Sequence, residues 1–186
     1  MMDGQIERTG AVAGLILLLS NLVQLPCLVM FWLRAGHKGG APRSRAHFVW
    51  ERSFIIGSAV LASIGFVVFA AAIQNQNGFV LVLIGAAGYL FGGVLIVAAE
   101  ALSLSIGYEK LYPIVNIYVL LAFLSQAVIG GSVIQSGLTA VWVGWASIVW
   151  NIGWLVAIPL LSPRDIYYPI LHSVMPLLIG IAILIR

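Results

Sequence analysis

Glu100 is the residue whose chemistry stands out most, because it is the only acidic residue inside one of the long apolar stretches of this sequence. A carboxyl group is costly to place in such surroundings, and where it occurs it commonly holds a proton or a cation. On a helix, Glu100 shares a face with the small residues Gly85, Gly88 and Gly92, which favour close helix packing. We therefore expect Glu100 to point towards neighbouring helices. The alternative is an interfacial carboxylate that pairs with a basic loop residue such as Lys110.

His172 is a second titratable side chain within an apolar stretch, and Pro176 follows it by four residues. Proline has no N–H, so Pro176 cannot donate the helical hydrogen bond to the carbonyl of His172. Asn116 adds an amide one turn into another apolar stretch. Counted from the helix ends, Glu100, Asn116 and His172 fall at similar depth. We predict that they line one polar pocket, with Glu100 as proton or cation partner and Asn116 as orienting amide. The alternative is a kinked packing helix with a hydrogen-bonded histidine.

A second group of polar side chains is predicted deeper in the apolar stretches, and it consists of Asn21, Gln24, Ser147 and Asn151. Side chains of this kind often form hydrogen bonds between membrane helices, each worth about 0.6 kcal/mol on average. The group is therefore interpreted first as a packing feature and second as a binding site.

Motifs typical of membrane enzymes and metal sites do not occur in the sequence. There is no HExxH or GxSxG motif, no CxxCH motif and no pair of carboxylates inside the apolar stretches. His37 and His47 lack a cysteine partner, and Cys27 is the only cysteine. We predict neither a metal nor a cofactor. An enzyme that uses Glu100 and His172 as an acid–base pair stays open as an alternative.

The amino-acid composition indicates whether these residues lie in a water-soluble protein or in a membrane protein. Hydrophobic residues make up 62% of the 186 residues and charged residues 8%, whereas a soluble domain has about 25% charged residues. A water-soluble protein this apolar would expose large apolar patches and aggregate. We therefore predict an integral membrane protein with the lipid bilayer as its main partner.

Six apolar stretches are long enough to cross a hydrocarbon core of roughly 30 Å as helices. They lie near residues 10–33, 54–73, 79–104, 112–134, 138–161 and 168–185. Most of the separators are too short for anything but antiparallel neighbouring helices. The predicted fold is a single all-α domain over residues 1–186, a bundle of six transmembrane helices.

The basic residues predict the orientation of this bundle. With alternating helices, seven of the nine Lys and Arg residues fall on one side, and only Arg8 and Arg186 fall on the other. The positive-inside rule then places both termini on the non-cytoplasmic side. Five of the nine lie in the loop over residues 34–52, where Arg45 and Arg52 are candidates to contact anionic lipid headgroups. This concentration in one loop indicates topology and argues against nucleic-acid binding.

Three hypotheses about function follow, with the first preferred. The chain is a small solute- or lipid-handling protein, expected in a prokaryotic plasma membrane, whose polar pocket lies near the cytoplasmic leaflet. Alternatively, it is a non-catalytic accessory or scaffold subunit that forms a homo- or hetero-oligomer through the face of Gly88 and Gly92. The third hypothesis is the intramembrane enzyme with a Glu100–His172 pair.

Overall fold

The computed structural model describes residues 2–35, 44–106, 108–161 and 168–186, and all its regular structure there is helical. Six α-helices follow one another along the chain, with one short 3₁₀ turn at Tyr108–Leu111 before the fourth. They are α1 (Met2–Ala35), α2 (Arg45–Ala72), α3 (Phe79–Leu102), α4 (Tyr112–Ser136), α5 (Val141–Leu161) and α6 (Tyr168–Leu184). The predicted all-α fold with six helices is confirmed.

Five of the six helices are long and apolar enough to cross a membrane, namely α1 to α5. The sixth is shorter: α6 has 17 residues, a length of roughly 25 Å at about 1.5 Å per residue. Among the residues whose side chains are described, its apolar part covers Leu171–Leu184. The chain is therefore a multi-pass helical bundle in which α6 differs from its neighbours in length.

The start of α2 differs from the sequence prediction. The helix begins at Arg45 rather than near residue 54, and the side chain of Ser44 caps it by accepting a hydrogen bond of 3.1 Å from the backbone N–H of His47. The first two turns carry charged residues, so a search for apolar residues cannot recognise them as helix. Arg45 and Arg52, predicted in the 34–52 loop, therefore belong to α2.

The helices pack in chain order, each against the next, and α6 also packs against α1. Close approach between helices depends on glycine at several of these interfaces. A Cβ on Gly14 in α1 would lie 2.9 Å from the carbonyl oxygen of Gly180 in α6, and a Cβ on Gly144 in α5 would lie 2.5 Å from that of Gly130 in α4. Real Cβ atoms do not come this near to backbone oxygen, so larger residues would push these helices apart.

The face of α3 that carries Gly88 and Gly92 packs inside the chain. A Cβ on Gly88 would lie 2.5 Å from the hydroxyl oxygen of Ser125, and one on Gly92 would lie 3.3 Å from Cβ of Leu121, both residues of α4. The small-residue motif was correctly recognised as a helix-packing face. Its partner, however, is α4 of the same chain, so the face is not open to another subunit.

Candidate functional site

His172 lies in the middle of the bundle and is 3% exposed. Its Nδ1 shares a hydrogen bond of 3.1 Å with the hydroxyl of Tyr89 on α3. The ring of Tyr118 on α4 stands edge-on to the imidazole, with 5.7 Å between ring centroids. Side chains from three helices thus meet at His172, which places this residue at a junction rather than on a lipid-facing surface.

The carbonyl of His172 is satisfied from outside its own helix. Because Pro176 has no N–H, the usual intrahelical partner is missing, and the side-chain Nε2 of Gln126 on α4 donates to this oxygen at 2.9 Å. One residue earlier, the indole Nε1 of Trp150 on α5 donates to the carbonyl of Leu171 at 2.9 Å. The carbonyl that Pro176 leaves without its helical donor is therefore bonded by a side chain of α4, and the neighbouring turn of α6 is tied to α5 through Trp150.

Ser147 and Asn151 of α5 extend this network. The hydroxyl of Ser147 donates to the backbone carbonyl of Gln126 at 2.9 Å. The Nδ2 of Asn151 donates to the carbonyl of Ser147 at 2.7 Å and also lies 3.3 Å from its hydroxyl oxygen. We name these five residues of α3 to α6 the central polar cluster: Tyr89, Gln126, Ser147, Asn151 and His172.

Two amide oxygens of the central polar cluster have no hydrogen-bond partner among the described residues, Oε1 of Gln126 and Oδ1 of Asn151. Both side chains are fully buried. Their orientation is fixed, because each amide nitrogen faces a carbonyl oxygen, which can only accept. A buried oxygen without a donor costs about 1–3 kcal/mol. The cluster therefore offers two acceptors to a group that donates hydrogen bonds.

Glu100 is placed far from this cluster. It lies eleven residues beyond Tyr89 on α3, a rise of roughly 16 Å along the helix at about 1.5 Å per residue. The predicted common depth of Glu100 and His172 counted residues from the helix ends, which holds only when all helices span the same layer. His172 lies only four residues after the start of α6, yet it contacts Tyr89 in the middle of α3. Counting residues from the start of α6 therefore gave the wrong depth for His172. The two residues do not form an acid–base pair.

The partner of Glu100 is Arg52 of α2. Nη1 of Arg52 donates to Oε2 of Glu100 at 2.8 Å, while Nη2 lies 3.5 Å from Oε1 of Glu51. His47 stands 3.8 Å from the other oxygen of Glu51, and the guanidinium carbon of Arg52 lies 4.7 Å from the centroid of the Phe48 ring. We name His47, Glu51, Arg52 and Glu100 the charged cluster.

The charged cluster corrects three expectations. Glu100 does point towards a neighbouring helix, and the alternative of a paired carboxylate is realised with Arg52 in place of Lys110. Arg52 is 6% exposed, so it neutralises buried carboxylates instead of meeting lipid headgroups. Glu51 is a second buried carboxylate that the sequence analysis missed, since it was assigned to the loop. The sequence signal that could have identified Glu51 is its spacing from His47, since residues four apart share one helix face.

Asn116 and Arg45 lie on the surface. Asn116 is exposed on α4 and is not part of either cluster, and Arg45 is exposed in the first turn of α2. The predicted pocket of Glu100, His172 and Asn116 is therefore not assembled by this fold. Arg45 keeps the exposure that contact with an anionic headgroup would need.

The second predicted polar group separates into two pairs. Asn21 donates to the carbonyl of Leu17 in its own helix at 3.0 Å, and Gln24 accepts a hydrogen bond of 3.1 Å from Ser58 across the α1–α2 interface. The other pair, Ser147 and Asn151, belongs with His172. Gln126 and Tyr89 are the cluster residues that the sequence analysis missed. Gln126 could have been found, because it is a polar residue in the middle of an apolar stretch.

No group of three or more His, Cys, Asp or Glu side chains that could hold a metal occurs in the described part of the chain. The chain matches no protein-family model. No curated protein and no solved structure shows significant similarity to it, so the geometry of the two clusters alone supports a function.

Proposed function

We propose that this multi-pass membrane protein handles a small solute or a lipid, and that the central polar cluster is its binding site. The observation that carries the proposal is the pair of buried acceptor oxygens on Gln126 and Asn151. Almost all buried polar groups of folded proteins have a hydrogen-bond partner, and exceptions call for a functional explanation or an unseen bound molecule. Two exceptions in one network favour a bound molecule.

The proposed site differs from the predicted pocket in depth and in membership. It is built on α3 to α6 around His172 and includes α5, whereas Glu100 acts in the charged cluster as a partner of Arg52. We retain the proposed orientation, with the charged cluster at the cytoplasmic end, because the basic residues favour it. A prokaryotic plasma membrane remains the expected location.

The other two functions gain no specific support. A Glu100–His172 enzyme requires the two side chains within direct or water-bridged hydrogen-bond reach. Glu100 is instead bonded to Arg52 and His172 to Tyr89, and Tyr89 and Glu100 lie about three turns of α3 apart. A scaffold that assembles through Gly88 and Gly92 would need a face that α4 already covers.

Native mass spectrometry of the protein purified in mild detergent tests the proposal. We expect wild-type protein to carry a small molecule of defined mass, and Asn151→Leu to lack it. Gln24→Leu is the matched control, because Gln24 is an equally buried amide whose oxygen already accepts a hydrogen bond from Ser58. The control should keep the bound mass even where it loses stability.

Gel filtration shows whether each variant is folded and monodisperse. A wild-type protein without any bound small molecule would contradict the proposal. So would a folded Asn151→Leu variant that retains the same bound mass, because the molecule would then lie elsewhere.

A further inference from the structure

We infer that the ligand of the central polar cluster is an uncharged amphiphile whose head group is a hydroxyl, held as a hydrogen-bond donor in the middle of the membrane. This inference rests on the proposed function and names the chemical class of its ligand. It follows from the hydrogen-bonding capacity, the charge and the surroundings of the cluster.

The hydrogen-bonding capacity requires a donor. Oε1 of Gln126 and Oδ1 of Asn151 can only accept, and the nitrogen of each amide is already committed to a backbone carbonyl. A ligand that offers acceptors alone, such as an ether or an ester, would leave both of these oxygens without a donor. A hydroxyl has one O–H and supplies a donor to one of the two oxygens.

The charge of the cluster selects against ions. Its five residues include no carboxylate, lysine or arginine, and the nearest such groups on α3 belong to the charged cluster, roughly 16 Å along the helix from Tyr89. An anionic head would face two amide oxygens without a cation. A cationic head would lack a carboxylate in surroundings where charge is costly. The cluster is therefore complementary to a ligand with an uncharged hydrogen-bond donor.

The surroundings suit a hydrocarbon tail. Asn151 is the last fully buried residue within the stretch 141–160 of α5, since none of residues 152–160 is fully buried. Trp154 is half-buried there and stacks edge-on against Trp150, with 5.8 Å between ring centroids. A Cβ on Gly153 would meet no atom within 4 Å. The cluster thus lies where the packed half of α5 meets its lipid-facing half, so a tail can lie along α5 while the hydroxyl reaches inwards.

Two sources supply this chemistry, a free long-chain alcohol and a neutral lipid with a free hydroxyl. The decisive comparison uses 1-dodecanol and dodecyl methyl ether, which share the tail and the oxygen but differ in the donor. Each is added to the detergent-solubilised full chain at equal mole fraction in the micelle, and thermal unfolding is followed. A ligand at ten times its Kd stabilises the folded state enough to raise Tm by about 3–6 °C in a chain of this size.

We expect 1-dodecanol to raise Tm by that amount and dodecyl methyl ether to leave it unchanged. The rise should vanish in Asn151→Leu and in the milder Asn151→Ser, and persist in Gln24→Leu. Competition by dioctanoylglycerol would identify a neutral lipid as the source, and its failure to compete would identify a free alcohol. Either result supports the inference, because the hydroxyl is common to both.

Equal shifts with alcohol and ether would overturn the inference. Failure of both probes to bind would also overturn it, and would indicate that ordered water satisfies the two oxygens. These failures are separable from that of the proposed function. A small molecule found on the purified wild-type protein but not on Asn151→Leu would keep the site, even where the hydroxyl probe does not bind.

Discussion

The amide nitrogen of Gln126 lies 2.9 Å from the carbonyl oxygen of His172, the oxygen that Pro176 leaves without its helical donor. A side chain of α4 thereby replaces a backbone hydrogen bond of α6. The same residue presents its other amide atom, Oε1, as a buried acceptor. The compensation for Pro176 in α6 and the candidate site therefore share the residue Gln126.

The first prediction concerns this replacement. Gln126→Leu removes the donor to His172 and should lower the free energy of unfolding by roughly 0.6–1.7 kcal/mol, between the average and the maximum for side-chain hydrogen bonds between membrane helices. In a Pro176→Ala background, an alanine N–H can donate to the same carbonyl, so the cost of Gln126→Leu should shrink. Unfolding in mixed detergent micelles measures all four proteins of the cycle. Equal costs in both backgrounds would show that Gln126 does not substitute for the missing helical bond.

The second prediction concerns the charged cluster. Arg52→Ala should destabilise the protein by about 3–5 kcal/mol, as expected when one partner of a buried ion pair is removed. Glu100→Ala should cost less, because Glu51 still lies 3.5 Å from the guanidinium. Arg45→Ala is the control, since Arg45 is exposed on the same helix and should change stability little. A cost of Glu100→Ala above that of Arg52→Ala would contradict this description of the cluster.

The third prediction separates close packing from helix propensity on one helix. Gly144→Ala should destabilise by about 1–3 kcal/mol through overpacking, because its Cβ would lie 2.5 Å from the carbonyl oxygen of Gly130. Gly153→Ala meets open space and should be neutral or stabilising, since alanine is the better helix former by about 1 kcal/mol. Thermal unfolding of the two variants compares them. Similar Tm values would argue against the α4–α5 contact.

The fourth prediction tests the orientation of the bundle. In a Cys27→Ser background, Arg186→Cys should react with a membrane-impermeant maleimide applied to intact cells, whereas Arg45→Cys should react only after permeabilisation. The reason is the excess of basic residues on the side of Arg45. Gel mobility after labelling with a large maleimide gives the result. The reverse pattern would invert the proposed topology.

The helices were largely predictable, because the thickness of the hydrocarbon layer dictates how long an apolar stretch must be. The predicted stretches 79–104 and 112–134 correspond closely to α3 and α4. The start of α2 was not predictable in this way. Charged residues in its first turns are stabilised by partners on other elements, as Arg52 is by Glu100. Hydropathy along the chain cannot predict such partners.

By itself, the sequence determined that this protein is a bundle of apolar helices and that these helices carry Glu100, His172, Ser147 and Asn151, because hydropathy and helical length are local properties. Only the tertiary structure decided which of these residues meet. It joined Glu100 to Arg52 and His172 to Gln126, since the depth of a side chain depends on how far each helix is shifted along its neighbours. That shift is set by packing between helices, such as the contact of Gly14 with Gly180, and not by position along the chain.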